Sequence, residues 1–157
     1  MSIKYLVGAA IAAAVSISVS APSFADPIDD TIKARRAYYQ VVGFNFGQVV
    51  AMAKGEADYD AEAAKNAATN LQALSKLHLL PLFPPGSDNE AKKGATRSLP
   101  KIWSDFPGVV EKVQAWQGAV DGLVAVSANG KDALGPAVGE VGKTCGACHD
   151  AYRAKNF

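Results

Sequence analysis

Apolar residues recur at alternating steps of three and four along four separate segments, and this spacing limits the fold more than any other feature. Such a pattern places the apolar side chains on one face of a helix. Little of the chain alternates with the period of two that is typical of strands. Together with the short connections 55–59 and 130–131, the pattern predicts an all-α fold, an antiparallel four-helix bundle. The predicted helices cover about 27–54, 60–79, 104–129 and 132–155.

Local signals mark several of the helix ends. Asp26 is a helix-capping residue placed directly before Pro27, which is well suited to a first turn. Gly55 and Gly130 are typical of positions where a helix stops. The segment 81–99 is the one long connection, and it is long enough to cross the bundle or to cover an edge of a cofactor.

The first 25 residues have the features of a secretory signal peptide. Lys4 is their only charge, residues 5–19 are small and apolar, and Ser23-Phe24-Ala25 suits a signal peptidase. We therefore predict cleavage after Ala25, export to a bacterial periplasm, and a bundle domain formed by residues 26–157. An uncleaved membrane anchor is the alternative, and after cleavage we expect no association with a membrane.

The charge pattern is balanced. Without Lys4 the basic and acidic residues are equal in number, and both signs are mixed along the chain. Such a pattern is typical of a solvated surface and lacks the basic patch that nucleic-acid binding requires. We therefore expect no nucleic acid among the partners.

The chain has only two cysteines, and both belong to the run Cys145-Gly146-Ala147-Cys148-His149. Because a pair this close joins no distant segments, three other roles are open: a redox dithiol, half of a zinc site, or a haem attachment site. A structural zinc ion needs four ligands, and only His149 and the distant His78 are available besides the thiols. A thioredoxin-like dithiol follows a strand, and none is predicted here. The adjacent His149 favours haem.

The spacing of the motif suits this role. On a helix, residues three and four positions apart lie on one face, so Cys145, Cys148 and His149 are neighbours. The two thiols can add to the two vinyl groups of one haem while the imidazole reaches its iron. We therefore predict one haem c, attached through Cys145 and Cys148, with His149 as the metal ligand.

A second axial ligand is harder to place. Only eight residues follow His149, and none is Met. After signal removal the sole methionine is Met52, which is better interpreted as a filler of apolar space. His78 is better interpreted as a helix-end residue. Both stay open as sixth ligands.

Several short motifs, in this order and spacing, resemble the cytochrome c prime family, whose members are four-helix bundles with Cys-x-x-Cys-His on the last helix. The resemblance covers nearly all of the chain after the signal peptide. The motifs are IKARR (32–36), KGEADYD (54–60), LFPPG (82–86), PKIW (100–103), VGKT (141–144) and CGACHDAYR (145–153).

This resemblance implies an iron that is five-coordinate and high-spin. In the family an apolar or aromatic side chain from the first helix covers the face of the iron opposite the histidine. The matching residue here is Tyr39, where low-spin relatives of the same fold have Met. The resemblance therefore implies an open or weakly occupied sixth site.

Arg35 interrupts the apolar stripe of the first helix. A buried charge needs a partner, and a haem propionate is one, although the side chain can also extend off the edge of the bundle. The resemblance adds Arg36 and, in the long connection, Thr96 and Arg97 as further propionate contacts. It places Arg153 near the imidazole that binds the iron.

The resemblance implies a periplasmic haem protein, not an enzyme. Such a protein exchanges single electrons with redox partner proteins, binds small gases such as nitric oxide and carbon monoxide, or does both. The family often forms homodimers through its first two helices. The alternatives are a low-spin electron carrier of the same fold and a peroxidase-like enzyme. For the enzyme Tyr39 is the only acid–base group we can place, and its ordinary pKa of about 10 suits neutral-pH proton transfer poorly.

Overall fold

The computed structural model describes residues 26–157, and the predicted signal peptide lies outside this range. Within the range no residue belongs to a strand, and an isolated antiparallel bridge joins Ser98 and Arg153. No helix among these residues has the length and apolar character needed to cross a membrane. The predicted all-α class is confirmed. The helices are α1 (Pro27–Lys54), α2 (Ala61–Ser75), α3 (Lys101–Ser104), α4 (Phe106–Val126) and α5 (Lys131–Tyr152).

The four long helices form an antiparallel bundle. Helix α1 packs against α2 and α5, and α4 packs against the same two helices from the other side. Between α1 and α2, Tyr38 hydrogen-bonds Leu74 while Asn45 hydrogen-bonds Asn70, so residue numbers rise along one helix as they fall along the other. Helix α2 therefore lies diagonally opposite α5.

The core is built from the apolar stripes of all four long helices. Met52 is only 5% exposed and belongs to this core, as expected of a flexible side chain that fills apolar space. Small alanines of α2 let the helices approach closely. The buried cluster contains Val49, Met52, Ala64, Ala67, Ala68, Leu71, Val120, Leu123, Leu134, Val138 and Val141.

Helix α2 ends at Ser75, four residues before its predicted end. Two of its last carbonyls accept side-chain hydrogen bonds from neighbouring helices. The Tyr38 hydroxyl donates to the Leu74 carbonyl at 2.9 Å, and the Gln117 side-chain amide donates to the Ser75 carbonyl at 2.7 Å. Because these groups satisfy carbonyls at the helix end, the chain can turn away there, and His78 lies exposed beyond it.

The predicted third helix is two helices, because the chain breaks at Asp105. This residue ends the short α3 and caps α4, its carboxylate accepting from the Gly108 amide at 3.3 Å. The predicted fourth helix ends three residues early, at Tyr152. There Arg153 adopts extended backbone and pairs with Ser98.

The two short connections meet at the other end of the bundle. The Tyr59 hydroxyl donates to the Ser127 carbonyl at 2.9 Å and accepts from the Gly130 amide at 3.0 Å. Gly55 caps α1 with φ +80°, a left-handed conformation that favours glycine. Gly55 is therefore confirmed as a helix stop. The prediction for Gly130 is wrong, because α4 ends at Val126, three residues before its predicted end, and Gly130 caps the start of α5 instead.

Candidate functional site

Cys145, Cys148 and His149 lie on the last turns of α5, with both thiols half-buried and the imidazole more exposed. The two thiols are not bridged. Cys145 packs against the apolar core, which fixes the direction of this face of the helix. The structure thus brings the three motif residues together on one face, as the helical spacing predicts.

Burial raises the pKa of both thiols. For Cys145 the neighbouring Cys148 thiol acts in the same direction, whereas the Lys112 ammonium opposes the rise at Cys148. A reactive dithiol requires the opposite, a lowered pKa that yields thiolate at neutral pH. The pKa shifts therefore argue against the redox dithiol.

Among residues 26–157, no group of three or more His, Cys, Asp or Glu side chains is placed to hold a metal ion.

Tyr39 of α1 lies near enough to the two thiols for their charges to act on its hydroxyl. Its hydroxyl pKa is raised, first by desolvation, then by the neighbouring Tyr38 and by the thiols of Cys148 and Cys145. Although 43% of the side chain is exposed, protein atoms surround it closely enough to desolvate the hydroxyl. The ring is therefore exposed at one side, while its hydroxyl is partly desolvated. The Tyr38 ring meets it edge-on, with centroids 4.9 Å apart.

The surroundings of His149 favour its neutral form. Partial desolvation lowers the pKa of the imidazole, the positive charge of Arg97 lowers it further, and Asp150 opposes them. Neutral imidazole is the form that binds metals. The Arg153 guanidinium lies 3.4 Å from the imidazole Nδ1, on the side predicted for it.

Arg35 is 3% exposed and is held by the connection between α2 and α3. One terminal nitrogen donates to the Leu82 carbonyl at 3.1 Å and to the Ser87 hydroxyl at 2.9 Å. The other donates to the Ser87 carbonyl and to the Thr96 hydroxyl, both at 2.8 Å. The Phe83 ring lies 4.8 Å from the guanidinium carbon. The partner that a buried charge needs is thus supplied by the protein itself.

Arg36 and Arg97 both lie over the Phe157 ring, with guanidinium carbons 5.9 and 5.4 Å from its centre. Arg97 also donates to the Lys155 carbonyl at 3.0 Å. Among the described residues, no carboxylate lies within 4.0 Å of Arg36, Arg97 or Arg153. Arg97 and Arg153 both lie near the imidazole of α5, so two of these guanidinium groups are close to His149.

A hydrogen bond from α5 to the start of α4 fixes the helix end that carries the motif. The Tyr152 hydroxyl donates to the Asp105 carboxylate at 2.7 Å, which raises the pKa of Tyr152 to about 12 and lowers that of Asp105. A Cβ at Gly108 would lie 2.3 Å from the same hydroxyl, so a side chain there would displace the hydroxyl. This pair was not predictable from local sequence signals, because its members are 47 residues apart.

Two half-buried thiols and a neutral imidazole on the last helix, near an aromatic ring on the first, suit a covalently held haem. Two thiols of such a motif can bond the vinyl groups of a haem, and the adjacent imidazole can bind its iron. The fold and site together define a c-type haem protein of the helical-bundle class.

Comparisons identify the family within this class. A sequence model described as cytochrome C' matches residues 30–153. The cytochrome c' of Cereibacter sphaeroides is 38% identical over 143 residues, which are 91% of this chain and 95% of the relative. The chain therefore belongs to the cytochrome c' family.

Solved structures agree in fold. The cytochrome c' from Rhodobacter spheriodes has a TM-score of 0.81 and 40% identity, covering 84% of this chain and all of its own. A nitric oxide complex of a mutant cytochrome c prime from Alcaligenes xylosoxidans has a TM-score of 0.71 and 36% identity, covering 85% of this chain and all of its own. The cofactor of the family is one covalently attached haem c, and Cys145 and Cys148 are the two cysteines that serve it here.

Replacing Tyr152 by Phe removes the hydroxyl that lowers the pKa of Asp105. A lowered carboxyl pKa stabilises the folded state above the ordinary value of about 3.9, and this contribution is lost as the pH falls through the lowered pKa. We expect Tyr152→Phe to be less stable than the wild type near neutral pH, with the difference shrinking in acid. Urea unfolding followed by circular dichroism across the acid range measures it.

Tyr59→Phe is the matched control, because the Tyr59 hydroxyl bonds only backbone groups. The loss of stability caused by Tyr59→Phe should stay the same as the pH falls through the range in which carboxyl groups titrate. Equal pH dependence in the two variants would contradict the assignment.

Proposed function

We propose that the chain is a periplasmic c-type cytochrome in which Cys145 and Cys148 form thioether bonds to the haem and His149 is its axial ligand. The observation that carries this proposal is that Tyr39 of α1, a helix packed against α5, lies near enough to both thiols for their charges to act on its hydroxyl. A ligand held by α5 would have the aromatic ring of α1 on its other side.

The same arrangement supports a five-coordinate, high-spin iron. Met52 is 13 residues after Tyr39, which corresponds to about 20 Å along the helix, and it is buried in the core. His78 is exposed after α2, the helix diagonal to α5. Among residues 26–157, these placements favour neither side chain as a second ligand.

Two further arginines are suited to the haem propionates. Arg36 is exposed and Arg97 partly exposed, and no carboxylate among the described residues pairs with either. A guanidinium recognises a carboxylate through two parallel N–H groups. We assign the propionates to Arg36 and Arg97, and we place Arg153 beside the imidazole of His149.

The function we propose is electron transfer with redox partner proteins, binding of nitric oxide and carbon monoxide, or both. When bound, haem supplies one-electron chemistry and an iron that binds diatomic gases. The protein's part is to anchor the haem, to supply one imidazole, and to restrict access with Tyr39. The Alcaligenes xylosoxidans relative was solved as a nitric oxide complex, which supports the gas-binding role.

We do not propose an enzyme. A peroxidase-like reaction needs a distal group that exchanges protons near neutral pH, and desolvation raises the pKa of Tyr39 further from that range. A homodimer through the first two helices belongs to the proposal as well. Val41 and Phe44 of α1 are 48% and 70% exposed, which supplies an apolar surface for it.

Thioether attachment is tested by removing one or both thiols. We expect the wild-type protein to keep its haem after denaturation, because covalent bonds survive the loss of the fold. The double variant Cys145→Ser/Cys148→Ser should release it, and each single variant should keep one bond. Haem staining of denaturing gels measures this. Retention of haem by the double variant would contradict the assignment.

The open iron face is tested with carbon monoxide. We expect a high-spin absorption spectrum from the ferric protein and a spectral change when carbon monoxide meets the ferrous protein. Tyr39→Ala should bind the gas about tenfold faster or more, since a steric barrier of only ~1.4 kcal/mol gives that factor. Flash photolysis measures the rate.

Tyr39→Phe is the matched control, because it keeps the ring and removes only the hydroxyl. It should bind carbon monoxide at a rate close to that of the wild type. A low-spin spectrum that carbon monoxide leaves unchanged would contradict the proposal, and conversion to high-spin by Met52→Ala or His78→Ala would then name the sixth ligand.

A further inference from the structure

The first residue after the predicted signal peptide is already part of the folded domain. The Asp26 carboxylate accepts a hydrogen bond from the Ile28 amide at 2.9 Å, and the Asp26 carbonyl accepts one from the Asp30 amide at 3.2 Å. Helix α1 begins at the next residue, Pro27. The bond predicted to be cut, between Ala25 and Asp26, therefore adjoins the cap of a helix, and no linker separates the two.

Lys92 ties this cap to the long connection. Its ammonium lies 2.5 Å from the Asp26 carboxylate and 2.8 Å from the Asp29 carboxylate, and its side chain is only 23% exposed. The backbone of Lys92 is held in turn, because its amide donates to the Asp88 carbonyl at 2.9 Å. Two segments that are 66 residues apart in sequence are thus joined at the start of α1.

An apolar contact supports the same junction. Ile28 is half-buried, and a Cβ at Gly86 would lie 3.6 Å from the Ile28 Cδ1 atom. The Ile28 side chain therefore lies over the connection at a second point. The ion pair of Lys33 with Asp30 differs from this junction, because both of its partners belong to α1.

A bond in such a place is hard for a protease to reach. Cleavage depends on the burial and hydrogen bonding of the backbone around the bond. When local opening and closing are fast, the rate of cleavage follows the population of the open form. Because a protease cleft holds residues on both sides of the bond, the open form here lacks the Asp26 cap and the ion pairs of Lys92.

We propose that folding closes the start of α1 against residues 86–92 and thereby shields the bond after Ala25, so that the signal peptide is removed before the domain folds. Lys92 is the residue that holds the junction closed. The reaction is hydrolysis of the Ala25–Asp26 peptide bond by water in a signal peptidase, which leaves a carboxylate on Ala25 and an α-ammonium group on Asp26. The proposal rests on the proposed function in one respect, export with cleavage after Ala25.

The test uses the whole chain, residues 1–157, with haem attached. This precursor is produced in bacteria while their signal peptidase is inhibited, and it is then exposed in detergent to the purified peptidase. We expect slow cleavage of the folded wild-type precursor. A precursor with Gly-Ser-Gly-Ser inserted between Ala25 and Asp26 should be cut at least about tenfold faster, because one charged hydrogen bond that must open before cleavage already gives that factor. Gels measure the rate, and mass spectrometry identifies the new N-terminus.

The role of Lys92 is tested by substitution. Lys92→Gln should be cut about threefold to tenfold faster than the wild type, which is the range expected when two partly exposed ion pairs are lost from the closed form. Lys33→Gln is the matched control, because it removes an ion pair at the same end of α1 that does not reach the connection. It should be cut at the wild-type rate. Salt screens ion pairs, so raising it should accelerate cleavage of the wild type relative to Lys92→Gln.

Two results would overturn the proposal. One is equal cleavage of the wild-type and linker precursors, which would show that folding does not shield the bond. The other is slow cleavage of the wild type that neither Lys92→Gln nor salt accelerates, which would remove Lys92 from the junction.

Failure of the proposed function gives a different result. A linker precursor that the peptidase does not cut after Ala25 would refute the predicted export signal itself. The haem assignments are tested separately, since haem staining and the carbon monoxide spectrum do not depend on when the signal peptide is removed.

Discussion

A guanidinium that is buried without a carboxylate must take its hydrogen bonds from neutral groups, and this requirement organises the site end of the bundle around Arg35. Leaving such a charge unsatisfied costs several kcal/mol or more. The long connection supplies the acceptors by folding Ser87 and Thr96 inwards, so that both are 5% exposed or less. Once Thr96 is fixed, the residues after it lie against the end of α5. The last helix turn, which carries the attachment motif, therefore depends on a charge in the first helix.

The features of the fold that local signals encode were predictable from the sequence. Helix α1 has its predicted bounds because its capping aspartate, its proline and Gly55 all act within one turn of its ends. The ends of α2, α4 and α5 were predicted too far along the chain. Tyr38 and Gln117 satisfy carbonyls at the end of α2, and pairing with Ser98 directs the chain away from the helical path at the end of α5. These partners are distant in sequence, so helical periodicity contains no information about them.

The features of the candidate site also fall into two groups, those that local sequence signals determine and those that depend on residues distant in sequence. The motif residues of α5 share a face because helical spacing alone determines it, and resemblance to a family was needed to pair them with Tyr39. The burial of Arg35 followed from its place in an apolar stripe, and the sequence also required a partner for it. The identity of that partner did not follow, because Ser87 lies 52 residues away in a connection without periodicity. The hydrogen bond of Tyr152 to Asp105 was missed for the same reason.

The central claim is that α5 holds the iron through His149 alone, while the ring of Tyr39 covers the opposite face without bonding to it. A crystal structure of the haem-loaded protein tests this claim most directly. Our account predicts one protein ligand on the iron, the His149 imidazole, with both thiols bonded to the haem and the Tyr39 ring across the other face. A second protein ligand on the iron, such as Met52 or His78, would contradict it.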